Sequence, residues 1–240
     1  MLSYGYDASA QYRLLDVRQI KRERLLGVEF TAAFGKTEET FFVSLPGAVN
    51  ALNALAAIAV ADHDGISASR IKEGLRSVFV KGRGEVVPTG TDYSIIIDYA
   101  HNGVSLQSML ETLAAYDHNR IIALYGSVGS RTEIRRRELG LVSGAMCALS
   151  ILTSDDPEFE DPAAIIAEIA ASVEEAGGKH VDIPDRAEAI RYALSIAEPG
   201  DILLFAGKGH EEFMKVRGEK LPFSEKKVIF EYLREKGIKG

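Results

Sequence analysis

The 240-residue sequence predicts an α/β fold: a mostly parallel sheet in its second half, preceded by a smaller, partial α/β segment. Three observations carry this. Four short apolar runs follow residue 84, namely Ser94–Asp98, Arg120–Tyr125, Leu149–Thr153 and Asp201–Ala206. Each is apolar almost throughout, the pattern of a strand covered on both faces. Helical stretches separate them, and a β-α-β-α alternation implies parallel pairing with right-handed crossovers.

Before that boundary the pattern is different. Residues 12–19 and 28–34 alternate apolar and polar, and Thr40–Leu45 follows the turn-like Gly35–Glu39, which together read as an antiparallel meander. After Pro46-Gly47, Ala48–Ala61 is rich in Ala and Leu and reads as a helix. A second helix is expected over Ser67–Phe79, opened by hydroxyl residues that can accept from free amides. Lys81-Gly82-Arg83-Gly84 interrupts the pattern, giving expected domains of 1–82 and 83–240. In the second domain, Asp161-Pro162 supplies an N-cap and a first-turn proline. Asp185-Arg186-Ala187-Glu188 is an acidic capping box, and Ser224 opens a last helix ending near Gly237.

Composition excludes several classes of function. With 35 acidic against 28 basic residues, the net charge is −7, unlike a chain that gathers Lys and Arg for nucleic acid. No stretch approaches the roughly 18 apolar residues of a membrane span, and the start lacks the pattern of a secretory signal. One cysteine, Cys147, allows neither an internal disulfide nor a cysteine zinc cage, which fits the reducing cytoplasm. Of two basic clusters, Arg18–Arg24 reads as a solvated turn.

Ligands of parallel sheets bind beyond the carboxyl ends of the strands. Those positions are polar and small here: Asp98-Tyr99-Ala100-His101-Asn102, Gly126–Arg131, Ser154–Glu158 and Gly207-Lys208-Gly209-His210-Glu211. Gly35-Lys36-Thr37 mimics a phosphate loop, but Phe30 stands where that motif needs glycine, and the context is a hairpin. Gly126-Ser127-Val128-Gly129 lacks the third glycine of a dinucleotide fingerprint. Asp98 and His101 suit either a ribose or base edge or an acid-base pair; the alternative is a helix cap and an exposed loop histidine. Arg131 and Arg135 share a helix face, with Arg136 and Arg137 pointing elsewhere; they suit a bound anion, or a surface helix paired with Glu133 and Glu138. Asn50 and Asn53 share a face of an Ala/Leu helix, as a nucleotide contact or a surface stripe.

Taken in order, these segments resemble the Mur ligases, and most closely their UDP-N-acetylmuramoyl-tripeptide synthetase branch. Leu45–Ala57 looks like the family's G-x-[FY]-N-x-x-N-x-L-A-A helix and Lys81-Gly82-Arg83-Gly84-Glu85 like its P-G-R-x-E hinge. Asp98-Tyr99-Ala100-His101 matches D-Y-A-H, and Gly207–Glu211 matches G-K-G-H-E. The resemblance covers essentially the whole chain. It implies a Rossmann-like C-terminal domain after the end of a central ATP-binding domain. The implied reaction is ATP-dependent: a substrate carboxylate is phosphorylated, and an amino-acid amine attacks the acyl phosphate. That adds the third residue to UDP-MurNAc-L-Ala-D-Glu in peptidoglycan synthesis.

By resemblance, Asn50, Asn53, Arg83, Asp98 and His101 bind ATP, while Arg136, Asp155, Asp156, Glu158, Gly207 and Glu211 hold the incoming amino acid. Branches that add diaminopimelate usually show D-N-P-R where this chain has Asp155-Asp156-Pro157-Glu158. Glu158 in place of arginine leads to the expectation of L-lysine, or another diamino acid, over diaminopimelate. The loop also reads Gly129-Ser130-Arg131 where many relatives have G-D-R. The family's phosphate loop, its Mg2+-binding residues and its UDP-sugar domain match nothing here. No catalytic or metal-binding residue is therefore expected in these 240 residues, which alone should neither hydrolyse ATP nor form an amide. The missing N-terminal and P-loop domains of the same protein are the expected partners; nucleic acid and membrane are not. A non-catalytic nucleotide- or amino-acid-binding module derived from such a ligase is the alternative.

Overall fold

The computed structural model describes residues 2–22, 25–35, 37–130 and 133–238. They form two compact units: one comprises residues up to Val80 with Ala115–Asp117, the other Lys81–Ala114 with the chain from His118 onward.

In the first unit, β1 (Tyr4–Gly5), β2 (Tyr12–Arg22), β3 (Leu25–Phe34) and β4 (Thr37–Val43) form a sheet in that order. The last three are the antiparallel meander expected from the alternation. Its strands are longer than the pattern indicated. Arg18, Lys21 and Arg22, expected in a solvated turn, extend β2; Arg18 pairs with Asp16 at 2.8 Å and Arg22 with Glu29 across the strands. Arg24 of that cluster and Lys36 lie outside the described residues. Two helices, α1 (Val49–His63) and α2 (Ala68–Ser77), follow. Val28, Phe30 and Phe41 pack with Ala51, Leu55, Ile58 and Ile71 to form the core of this unit. Ser67 precedes α2 but does not cap it: its hydroxyl shares a hydrogen bond with that of Ser69 at 3.1 Å.

The second unit is built on a six-stranded sheet. Its strands are β5 (Glu85–Val87), β6 (Ser94–Asp98), β7 (Ile121–Tyr125), β8 (Leu149–Leu152), β9 (His180–Asp182) and β10 (Ile202–Ala206). The spatial order is β5-β6-β10-β7-β8-β9, parallel except for the antiparallel edge strand β5. Every residue of β6, β7 and β10 is buried, as strands covered on both faces must be. The covering helices are α3 (Gly103–Ala114), α4 (Glu133–Met146), α5 (Pro162–Glu175), α6 (Arg186–Ile196) and α7 (Glu225–Glu235). Asp161, Asp185 and Ser224 accept from backbone amides at the starts of α5, α6 and α7, as their positions in the sequence indicate. A hairpin of β11 (Phe213–Val216) and β12 (Glu219–Pro222), invisible in the hydrophobic pattern, precedes α7.

Insertion of β10 between β6 and β7 has a direct consequence. The Gly207 loop emerges between the Asp98 loop and the Gly126 loop, with the Asp155 loop next along. Four segments far apart in sequence thus share one edge of one sheet. Among the described residues, no helix is long and apolar enough to cross a membrane.

Candidate functional site

A cavity of about 220 Å³ opens at this edge, lined among others by Tyr99, His101, Arg135, Asp155, Gly207 and Glu211. Its floor is a buried cluster of charge. Lys208 follows β10 with its side chain fully buried; its Nζ donates to Asp156 Oδ1 at 2.6 Å and Glu211 Oε2 at 2.9 Å, with Asp155 Oδ1 at 3.8 Å. Burial pulls the ammonium down, but these carboxylates outweigh it and hold Lys208 above the usual lysine range. Asp155 is pushed up by its complete burial, against the attraction of Arg186 and Lys208. Deeper still, the Arg186 guanidinium donates to Glu225 at 2.8 Å, to the Ser154 carbonyl at 3.1 Å and to the Ala206 carbonyl at 2.7 Å. It therefore ties the ends of β8 and β10 together. Burial also raises the Glu225 carboxyl.

The backbone here accepts strain. Asp156 and Glu158 both have positive φ, 44° and 54°, on either side of Pro157. For residues other than glycine this conformation costs energy, and it persists only where neighbours enforce it. They do: Gly129 N–H donates to the Asp156 carbonyl at 3.0 Å, Lys215 N–H to Asp156 Oδ1 at 2.9 Å, and Arg217 N–H to the Glu158 carbonyl at 2.7 Å. Gly207 is required by contact as well as by its φ of 106°. A Cβ there would stand 2.3 Å from Asp155 Oδ2, so only glycine lets the carboxylate approach the loop.

Beside the cavity, Asp98 organises the start of the unit. One carboxylate oxygen accepts from Gly84 N–H at 2.6 Å and the other from Ala100 N–H at 2.7 Å. Burial raises this carboxyl, opposed by those two amides and Arg83. Asp98 is therefore not the cap of α3; Asn102 does that, accepting from Ser105 N–H at 2.9 Å. His101 Nδ1 lies 2.9 Å from the Tyr99 carbonyl; because a carbonyl only accepts, the proton sits on Nδ1. Tyr99 is the hub of this side. The Arg83 guanidinium sits 4.9 Å from its ring centre, with His101 at 5.1 Å edge-on and His210 at 5.6 Å.

The structure thus gathers Arg83, Asp98 and His101 around Tyr99, and Asp155, Asp156, Gly207 and Glu211 around the cavity. Other expected residues lie elsewhere. Asn50 and Asn53 belong to α1 in the first unit, where Asn50 donates to the Pro46 carbonyl at 2.8 Å and Asn53 to Asn50 at 3.0 Å. Arg136 is not in the cavity wall. Its side chain is buried and paired with Glu160 at 2.7 Å and Glu168 at 2.9 Å, and its neighbour Arg135 lines the cavity instead. Glu158 also stands outside the lining; its Oε2 accepts from Gly218 N–H at 3.3 Å, in the turn of the hairpin. Arg131 lies outside the described residues.

Sequence reasoning passed over Lys208, Tyr99 and Lys215, whereas Arg135, a candidate for a bound anion, does line the cavity. Lys208 and Tyr99 sit inside motifs that were noticed, so their motif position was the available signal. Lys215 had none, because the hairpin that delivers it was not legible. Among the described residues, no group of three or more His, Cys, Asp or Glu side chains is arranged to hold a metal ion.

Residues 82–209 match the family described as Mur ligase, glutamate ligase domain. A UDP-N-acetylmuramoyl-L-alanyl-D-glutamate–2,6-diaminopimelate ligase of Caldanaerobacter subterraneus subsp. tengcongensis is 38% identical over 98% of this chain and 48% of its own length. A UDP-N-acetylmuramyl-tripeptide synthetase of Roseiflexus sp. is 37% identical over 100% of this chain and 47% of its own. A solved structure of a UDP-N-acetylmuramoyl-L-alanyl-D-glutamate–2,6-diaminopimelate ligase superposes with a TM-score of 0.78 at 26% identity, covering 98% of this chain and 48% of that one. The chain spans about half the length of the curated relatives it matches.

Proposed function

The chain belongs to the Mur ligase family, and from that premise we propose that it is the carboxy-terminal portion of an ATP-dependent amide ligase of peptidoglycan synthesis. The reaction is the addition of a diamino acid to UDP-MurNAc-L-Ala-D-Glu through an acyl phosphate. One observation carries this reading: the loops after β8 and β10 build a cavity whose acids, Asp155, Asp156 and Glu211, face cations in a space the size of an amino acid. Carboxylates suit the ammonium groups of such a substrate, and guanidinium or ammonium groups suit its carboxylates. In this reading the Tyr99 hub with Arg83, Asp98 and His101 receives the nucleotide; Asn50 and Asn53 are proposed as nucleotide contacts on the resemblance alone. ATP and Mg2+ would act with the P-loop domain, in the cytoplasm where the nucleotide substrates are.

The preference for L-lysine over diaminopimelate rested on Glu158. That carboxylate accepts from the Gly218 amide at 3.3 Å and stands outside the cavity lining.

The test uses the complete enzyme carrying this region. With ATP, UDP-MurNAc-dipeptide and a diamino acid, it releases phosphate and forms the tripeptide; Glu211→Ala raises KM for the amino acid far more than KM for ATP. Loss of nucleotide affinity alone in that variant would assign the cavity to the nucleotide and overturn the reading. The 240-residue chain by itself is expected to release no phosphate above background, and acceptor-dependent release would refute that.

A further inference from the structure

His180 begins β9, the outermost strand of the six-stranded sheet, and its imidazole meets a carboxylate at each nitrogen. Nδ1 lies 2.7 Å from Asp182 Oδ1, two residues along the same strand. Nε2 lies 3.2 Å from Glu174 Oε1, in the last turn of α5. An ionised carboxylate only accepts, so both contacts are hydrogen bonds only when both ring nitrogens carry a proton. The neutral ring has one N–H and would turn a lone pair toward the other carboxylate.

The charges that face the ring are acidic. Glu174 comes from α5, and the strand itself adds Asp182. Glu175, the neighbour of Glu174, is taken by Arg137 of α4. β8, which pairs with β9, has no ionisable side chain over Leu149–Leu152, and Lys179 is exposed. The carboxyl end of α5 adds the partial negative charge of a helix terminus. Partial burial pulls the imidazolium down, but the two carboxylates outweigh it and hold His180 above the usual histidine range.

The contact joins two elements. β9 has 3 residues and pairs only with β8, so its ladder contributes little. At its far end, Ile183 N–H donates to the Leu152 carbonyl at 2.9 Å, and the Pro184 carbonyl accepts from Ser154 N–H at 3.3 Å and Ser154 Oγ at 2.6 Å. The segment between α5 and α6 is thus fastened to the end of β8 on one side and, through His180 and Glu174, to α5 on the other. The shorter contact, to Asp182, keeps the single N–H of the neutral ring, so loss of a proton breaks the tie to Glu174.

We propose that His180 is a pH-sensitive clasp: as the imidazolium it fastens the edge strand β9 to the last turn of α5, and it lets go when it loses its proton. Because the native form holds its proton more tightly than the unfolded chain, the contribution of the clasp is complete below about pH 6.5 and is lost as pH rises through the raised native value.

The test is a pH titration of the 15N-labelled 240-residue chain from pH 5 to 9, following the imidazole nitrogens and the exchange of the Ile183 amide. His180 of the parent titrates with a midpoint above about 6.5, and Glu174→Gln and Asp182→Asn each lower it. Below that midpoint the Ile183 amide of the parent exchanges up to about fivefold more slowly than in His180→Gln, the scale of a part-exposed ion pair. Above it the two rates converge. A parent midpoint at or below about 6.5, a midpoint that neither carboxylate variant lowers, or an Ile183 ratio that stays constant with pH overturns the clasp. The titration of the parent decides the protonation state even where a variant does not fold.

Discussion

Asp201 and Asp155 are both buried aspartates on one sheet, at its opposite edges. Asp201, just before β10, accepts from Arg120 at 2.6 Å, from the Asn119 amide at 3.2 Å and from Glu198 N–H at 2.9 Å. Burial pushes its carboxyl up, but Arg120 and these donors outweigh burial and hold it below the usual range. Asp155, just after β8, is as deeply buried, makes no side-chain hydrogen bond to a described residue, and has its nearest ammonium at 3.8 Å. Its carboxyl is raised. The amino-terminal edge is built for stability. The carboxyl-terminal edge carries raised carboxyls and residues other than glycine at positive φ.

The largest expected disruption of this contrast is Lys208→Met. It leaves Asp155, Asp156 and Glu211 without the cation they share, and uncompensated buried charge costs about 3–5 kcal/mol. Urea denaturation should show a loss of that order, with part of it recovered in the double variant Lys208→Met with Asp156→Asn. A loss below about 1 kcal/mol would mean that the carboxylates are already protonated or reach solvent. Next in size is Asp201→Asn, which breaks a multidentate pair whose aspartate is fully buried and whose arginine is partly exposed. A loss of about 2–3 kcal/mol is expected, with no change in amino-acid binding by the same chain. An affinity change there would show that the two edges are not separable.

The same contrast explains what could be read in advance. The central strands were legible because they are covered on both faces and apolar almost throughout, and Asp161, Asp185 and Ser224 announced their helices. The edge strands β5 and β9 have 3 residues each, and β11 and β12 have 4, too few to establish a period. No local pattern encodes the placement of β10 between β6 and β7, yet that order brings the Gly207 loop to the Asp98 loop. For the site, the strand-end loops were readable because small and polar residues stand out after apolar runs. Arg135 follows from the helix face it shares with Arg131 and Arg136 from the resemblance; a single residue turns a side chain by about 100° around a helix, so Arg135 lines the cavity while Arg136 pairs with Glu160 and Glu168. Lys208 was passed over because an isolated lysine reads as surface; its burial depends on three acids brought from two loops.

The smallest effect is the sharpest comparison, because its sign differs at the two edges. Asp155 has a native pKa above its unfolded value near 3.9, so at neutral pH its ionisation opposes folding. Asp155→Asn should therefore raise stability, by about 0.5–1 kcal/mol once some lost attraction to Lys208 is allowed for, while weakening amino-acid binding. As pH falls through the raised native pKa toward about 4, the parent recovers that cost and the advantage of the variant shrinks. Asp201 behaves in the opposite sense. Its native pKa is depressed, so its contribution is complete above about pH 4 and is lost only as pH falls through the lower native value. Urea midpoints of the parent and both variants across pH 3–7 separate the two cases. Two deficits, both disappearing only below pH 4, would show that Asp155 is stabilised in its ionised form, and the carboxyl-terminal edge would then be no more strained than the other.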